Sequence, residues 1–169
     1  MRKVFLLVAA LATAAQVLGA MSVKGTAVYQ KEALRIDRDG QGYHLVRLAG
    51  AGHSDVPGAP QLPVDRRYLP LPAGAVADSV KVITIKSENI DGSYLVFPAQ
   101  PQAVLSNPSP RTEFTLPDKR IYQAKGLSPA IVCELRGSGS LAGSVMAGLL
   151  IYPVQYQPAT GKMELITSI

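Results

Sequence analysis

Apolar residues recur mostly at every second position, and the runs that carry them are short. Residues 33–50 read as a hairpin. Leu34 and Ile36 lead in, Asp39-Gly40-Gln41-Gly42 turns, and Tyr43, Leu45 and Arg47 alternate with His44, Val46 and Leu48 on the way out. Asp-Gly between alternating segments is a strong hairpin signal. Ahead of it, residues 22–29 alternate loosely through Val23, Ala27 and Val28 and predict a first strand. Residues 77–88 give the clearest strand pattern: Val80, Val82 and Thr84 face one way, Lys81, Ile83 and Ile85 the other. Apolar residues on both faces predict a central position in a sheet. Asn89-Ile90-Asp91-Gly92 then turns and residues 93–97 return, an antiparallel pair whose register the turn fixes. Residues 118–126 read as a short strand or a turn. Residues 130–135 predict another strand, Gly137-Ser138-Gly139-Ser140 a flexible turn, and the strand pattern resumes at Val145. Residues 154–156 pair with 163–166 through Pro158-Ala159-Thr160-Gly161. No helical pattern follows the first twenty residues. Short strands with turn signals about every ten residues predict an all-β, antiparallel β-sandwich.

Two stretches break this alternation. Residues 57–72 hold Pro57, Pro60, Pro63, Pro70 and Pro72, with Leu62, Val64, Leu69 and Leu71 between them. Proline fixes φ and extends the residue before it, so the stretch is stiff and non-helical. Proline also lacks the N–H of a central strand, which places residues 69–72 at a strand end or sheet edge. Residues 98–117 carry Pro98, Pro101, Pro108, Pro110 and Pro117 with few consecutive apolar residues. An irregular connection of that length is uncommon in a compact domain and marks a functional or disordered segment.

Residues 1–20 read as a signal peptide: Arg2 and Lys3 form the charged end, residues 4–15 the apolar run, and Gly19-Ala20 the small residues near a cleavage point. The apolar run falls short of the ~20 residues a spanning helix needs. Residues 21–169 are enough for one domain. The apolar fraction of 47 %, with 15 Gly and 13 Pro, is globular and turn-rich. The formal charge is +5, and removing Arg2 and Lys3 leaves +3. No Lys/Arg run exceeds two, and stacking aromatics are not interleaved with them, so a nucleic-acid partner is not expected. The pairs Arg66-Arg67 and Lys119-Arg120 read as strand-edge charges or as processing sites.

Catalytic chemistry finds no foothold. The single cysteine, Cys133, cannot form an internal disulfide, and its apolar surroundings mark a small buried hydrophobe. His44 and His53 lie in no motif that would make a Cys–His dyad, and their spacing with Cys133 is not that of metal ligands. Residues 137–143 lack the Gly-Lys-Ser/Thr ending of a phosphate loop, and Gly-x-Ser-x-Gly is unmatched. No cofactor is implied.

Two motifs carry a resemblance. Gly58-Ala-Pro-Gln-Leu-Pro-Val, followed by Leu69-Pro-Leu-Pro-Ala-Gly-Ala, and Tyr152-Pro-Val-Gln-Tyr-Gln-Pro-Ala-Thr-Gly-Lys162 stand about ninety positions apart. In that order they resemble the N-terminal propeptide of gingipain-type (family C25) cysteine peptidases, over roughly residues 43–169. The resemblance implies a jelly-roll-like sandwich lacking its final C-terminal portion, with the catalytic domain absent from this chain. It implies a prodomain that is no enzyme itself. Its partner would be the cognate C25 catalytic domain in cis, kept latent and assisted in folding. Export would take it through the periplasm to the exterior or cell surface, with no membrane association after signal cleavage. The inhibitory element would be the proline-rich loop laid across the active site. In basic-specific members a basic residue follows a Val-Ile-Ser-like run and fills the specificity pocket. Here Val104-Leu105-Ser106 is followed by Asn107, and Arg111 is the alternative occupant. The rival reading is a free-standing secreted sandwich that binds carbohydrate or protein at the cell surface.

Overall fold

A computed structural model describes residues 21–102 and 113–169. The signal-peptide expectation for residues 1–20 lies outside the described residues. A 3-10 turn, Lys31–Ala33, precedes β1 (Leu34–Arg38) and β2 (His44–Leu48). These are followed by β3 (Gly52–His53), β4 (Pro63–Pro70) and β5 (Lys86–Ile90), a one-turn helix α1 (Lys119–Tyr122), and then β6 (Cys133–Leu141), β7 (Ser144–Ile151), β8 (Val154–Gln157) and β9 (Lys162–Ser168). Three sheets result, in the orders β1-β2, β3-β4-β7-β6 and β5-β9-β8, and every strand pairing is antiparallel. Val46 and Leu48 from the first, Ile151 from the second, and Tyr156, Met163 and Leu165 from the third meet in one core. The sandwich expectation holds. Among the described residues no helix is long and apolar enough to cross a membrane.

The period-2 pattern builds the core where local turns set the register. Leu34↔Leu48 and Ile36↔Val46 face each other across the first hairpin, and Val154↔Leu165 and Tyr156↔Met163 across the last. Along β7 the buried residues are Ala147, Leu149 and Ile151. Prolines cap β4 at both ends, Pro63 and Pro70, so the interior residues keep their donors for the ladder to β7. Residues 22–29 contribute less than a strand. Val28 bridges Ser168, Ala27 and Tyr29 are buried, and Val28 itself is exposed. The Tyr29 hydroxyl donates to Asp65 Oδ2 (2.8 Å), which also accepts from Arg67 Nε (2.7 Å), pinning this segment to β4.

Three local expectations fail, each for a physical reason. Residues 77–85 form no strand, and the regular part, β5, is the outer strand of its sheet. Ile83 is 72 % exposed and Ile85 47 %. Two apolar faces show that a segment tolerates burial, not that neighbours flank it. The expected hairpin with residues 93–97 is also absent. Instead β5 pairs with β9, and Leu95–Phe97 runs beside β2, with His44 N donating to Leu95 O (2.7 Å) and Phe97 N to His44 O (2.9 Å). Residues 137–140 are not a turn but part of β6. The reversal falls at Ala142-Gly143, both at positive φ (49° and 81°), as the tightest hairpin turns require. Residues 118–126 resolve into α1, capped by Asp118 Oδ1 accepting from Arg120 N (2.8 Å).

Leu62 is 1 % exposed inside the core. Leu62→Ala is expected to cost about 2–5 kcal/mol in urea unfolding, and Ile83→Ala to stay within about 0.5 kcal/mol. Equal costs would restore the central-strand reading of 77–88. Burial also pushes the hydroxyl pKa of Tyr29, Tyr122, Tyr152 and Tyr156 above the usual value. The folded state then holds protons that the unfolded state releases. Stability contributed by these groups is intact below pH ~10 and declines as pH rises beyond it. Urea midpoints at pH 8 and 10.5 check this; the midpoint should fall, and Tyr29→Phe should lessen the fall.

Candidate functional site at the base of the proline-rich loop

The irregular stretch 98–117 enters and leaves the fold through a fixed base. On the entering side, Gln61 N donates to Phe97 O (2.8 Å), Pro60 bridges Pro98, and Gly58 N and Ala99 N bond Ala99 O and Ala59 O (both 2.8 Å). On the leaving side, Asp118 N donates to Gly58 O (2.9 Å). Residues 58–61 thus hold both ends, Gly58 and Ala59 from a turn in which Ala59 N donates to Val56 O (3.1 Å) rather than from the extended course expected of this stretch, and Gln61 from just beyond it. Gly58 is the pivot. Its φ is +80°, and a Cβ there would meet Leu116 O at 3.3 Å. A side chain would be strained by conformation and crowd the departing backbone at Leu116.

Gln100 closes the base from within. Its Nε2 donates to Pro98 O (2.8 Å) and Thr115 O (3.0 Å), and its Oε1 accepts from Thr115 N (2.8 Å). The side-chain amide acts as a short strand partner for Thr115. Beneath it Tyr43, Phe97 and Phe114 pack ring against ring at 5.7–6.0 Å, joining β2 to both loop ends. Tyr122 of α1 donates to Val96 O (2.6 Å), and Gln102 Nε2 to Asp55 Oδ2 (3.0 Å). The arrangement offers rigid presentation of a segment rather than a reactive group.

Leu105, Ser106, Asn107 and Arg111, the expected inhibitory residues, lie outside the described residues. Lys119 and Arg120 sit exposed on α1, next to the loop's exit. Gln100 and Thr115 were not legible as a clamp, because a glutamine between prolines carries no periodic signal. The Cys–His possibilities are kept apart. His53 lies in β3 and Cys133 in β6, at opposite edges of one four-stranded sheet and roughly 14 Å apart. His44 belongs to another sheet, where its Nδ1 accepts from Leu95 N (3.0 Å). The Cys133 thiol is partly buried, and burial pushes its pKa up, away from a nucleophilic thiolate. Among the described residues no three His, Cys, Asp or Glu side chains are grouped to hold a metal.

The family model of C25 propeptides matches residues 36–169. Lys-gingipain of Porphyromonas gingivalis is 26 % identical over 141 residues, which cover 82 % of this chain but 8 % of that protein. The chain therefore spans only a small fraction of the curated relatives it matches. The complex of Porphyromonas gingivalis RgpB pro- and mature domains superposes with a TM-score of 0.67 at 18 % identity, covering 85 % of this chain and 74 % of the other. A structure addressing zymogenic latency of gingipain K from the same organism gives 0.62 at 22 %, covering 79 % and 75 %. These two likenesses establish the shared fold.

Gln100→Ala removes the acceptor for Thr115 N together with both donations from Nε2. It is expected to cost about 1–3 kcal/mol and to speed amide exchange at Thr115 while leaving the core amides of β9 slow. Unchanged exchange at Thr115 would remove the clamp.

Proposed function

The chain belongs to the C25 propeptide family, and from that premise we propose that it keeps a downstream C25 catalytic domain latent and aids its folding. The means is the proline-rich loop, laid extended across the active-site cleft. The supporting observation is the stapled base, where Gln100, Thr115 and residues 58–61 fix both loop ends. A loop fixed at its base and stiffened by prolines loses little entropy on docking. Tethering adds an effective concentration on the order of millimolar, so a modest interface suffices in cis. In this reading Asn107 fills the specificity pocket, Leu105 and Ser106 align the backbone before it, and Arg111 flanks the contact. Export through the periplasm to the exterior or surface accompanies this role. Removal of the domain is by proteolysis, for which the exposed pair Lys119-Arg120 is one available site. No metal or cofactor enters the account.

The test adds the chain in trans to the mature peptidase of its own precursor and measures residual activity. Wild-type chain is expected to inhibit. Asn107→Ala should weaken inhibition by roughly 30-fold or more, the loss typical of a buried anchor, and Arg111→Ala by less than about threefold. The reverse ranking assigns the pocket to Arg111. A wild-type chain that binds without inhibiting overturns the proposal.

A further inference from the structure

Residues 28–33, the turn after β2 and the start of β4 enclose a cavity of about 240 Å³. It shares no residue with the base of the proline-rich loop. Its volume falls below the roughly 300 Å³ at which sites for drug-sized ligands begin, so only a small molecule fits. Two charged side chains of β4, Asp65 and Arg67, line it together with Tyr29. Both lie on one face of the strand, roughly 7 Å apart along it. Val28, Ala33 and Leu48 give the cavity an apolar flank.

The two charges satisfy each other only in part. Asp65 is 8 % exposed, and its Oδ2 accepts from both the Tyr29 hydroxyl and Arg67 Nε. Its Oδ1 has no hydrogen-bond partner among the described residues. Among those residues no fully enclosed side-chain oxygen or nitrogen lacks a partner. Oδ1 is therefore reached from outside, and the cavity is the opening that Asp65 lines. Arg67 is its counterpart. Its side chain is half exposed, Nε is taken by Asp65, and Nη1 and Nη2 have no partner among the described residues. The cavity thus offers one open carboxylate oxygen beside an open pair of guanidinium donors. A plain cation on Oδ1 would face the guanidinium, and a plain anion on the guanidinium would face the carboxylate. A ligand that carries both signs meets both.

We propose that this cavity is a binding site for a free α-amino acid, with its ammonium on Asp65 Oδ1 and its carboxylate on the Arg67 guanidinium. The ammonium brings donors to the unused carboxylate oxygen, and the carboxylate matches the planar fork of the arginine. In a free amino acid the two groups share one carbon, which suits neighbouring partners on one strand face. A peptide separates them onto different residues and does not match the pair. An apolar side chain would lie along Val28, Ala33 and Leu48. The bound molecule would tie residues 28–33 to β4 beside the Tyr29–Asp65 hydrogen bond and stabilise the folded chain by mass action. Occupancy would then follow the ambient concentration of free amino acid. This inference goes beyond the inhibitory reading and does not depend on the loop.

The probes are L-leucine, 3-methylbutylamine, which lacks the carboxylate, and 4-methylpentanoate, which lacks the ammonium. Each is titrated into the chain while backbone amide shifts are followed by NMR. Leucine is expected to move the amides of Tyr29, Gly50 and Arg67, with half-saturation on the order of a millimolar for so small a ligand. Each single-charge analogue should bind at least about tenfold more weakly. Arg67→Gln should weaken leucine by a similar factor, and its half-exposed side chain predicts that the variant still folds. Should it not fold, the analogues decide the matter on the unaltered chain. No shift up to about 50 mM leucine, far above the expected half-saturation, overturns the proposal. Equal binding of leucine and the amine also overturns it, reducing the cavity to a plain cation site. Shifts that leave Tyr29, Gly50 and Arg67 unmoved overturn it as well. The titration does not read peptidase inhibition, so failure here and failure of the inhibitory reading are separable.

Discussion

The hydrogen bonds that tie residues 58–61 to residues 97–99 and to Asp118 are the constraint on which the rest depends. The chain turns at residues 56–59, where Ala59 N donates to Val56 O, and Gly58 supplies the positive φ of that turn, with Ala99 and Asp118 bonded to it from two sides. From there the chain passes through Pro63 into β4, which carries the ladder to β7. One stiff stretch therefore couples the long loop to the centre of the four-stranded sheet.

This coupling suits the loop-presenting role proposed for the domain. Two of the polar side chains near the loop base are spent on backbone partners, Gln100 on Pro98 and Thr115 and Tyr122 on Val96, and Gln102 bonds the Asp55 carboxylate. Burial pushes the pKa of the lone thiol up, and Cys133 and His53 lie on opposite edge strands of one sheet. Membership of a propeptide family and a chemically quiet interior describe the same molecule from two directions. A prodomain needs a fold stable enough to hold one segment in place and a segment shaped to be held.

What the sequence made legible was local. The hairpins 34–48 and 154–168 announce themselves because a turn of few residues sets the register of everything beside it. The pairing of β5 with β9 joins positions about eighty residues apart and leaves no local trace. The strongest alternating run, 77–88, was therefore given the wrong neighbours. Gly137-Ser138-Gly139-Ser140 looked like a turn because small residues permit one. The ladder to β7 and the positive φ at Ala142 and Gly143 decided otherwise. The family motif at 58–72 was readable as a motif, while its job as buttress became visible only with Phe97, Ala99 and Asp118 beside it. Gln100 had no signal at all, since an amide that substitutes for a strand partner is defined by what lies opposite it.

In the proposed function the proline-rich loop is the surface through which this domain holds its peptidase. The most direct measurement is an exchange footprint of the chain alone and bound to the catalytic domain of its own precursor. The account predicts that the strongest new protection falls within residues 98–117, with β6 and the first hairpin little changed. Protection concentrated elsewhere on the sandwich, with 98–117 exchanging as freely as before, would contradict it.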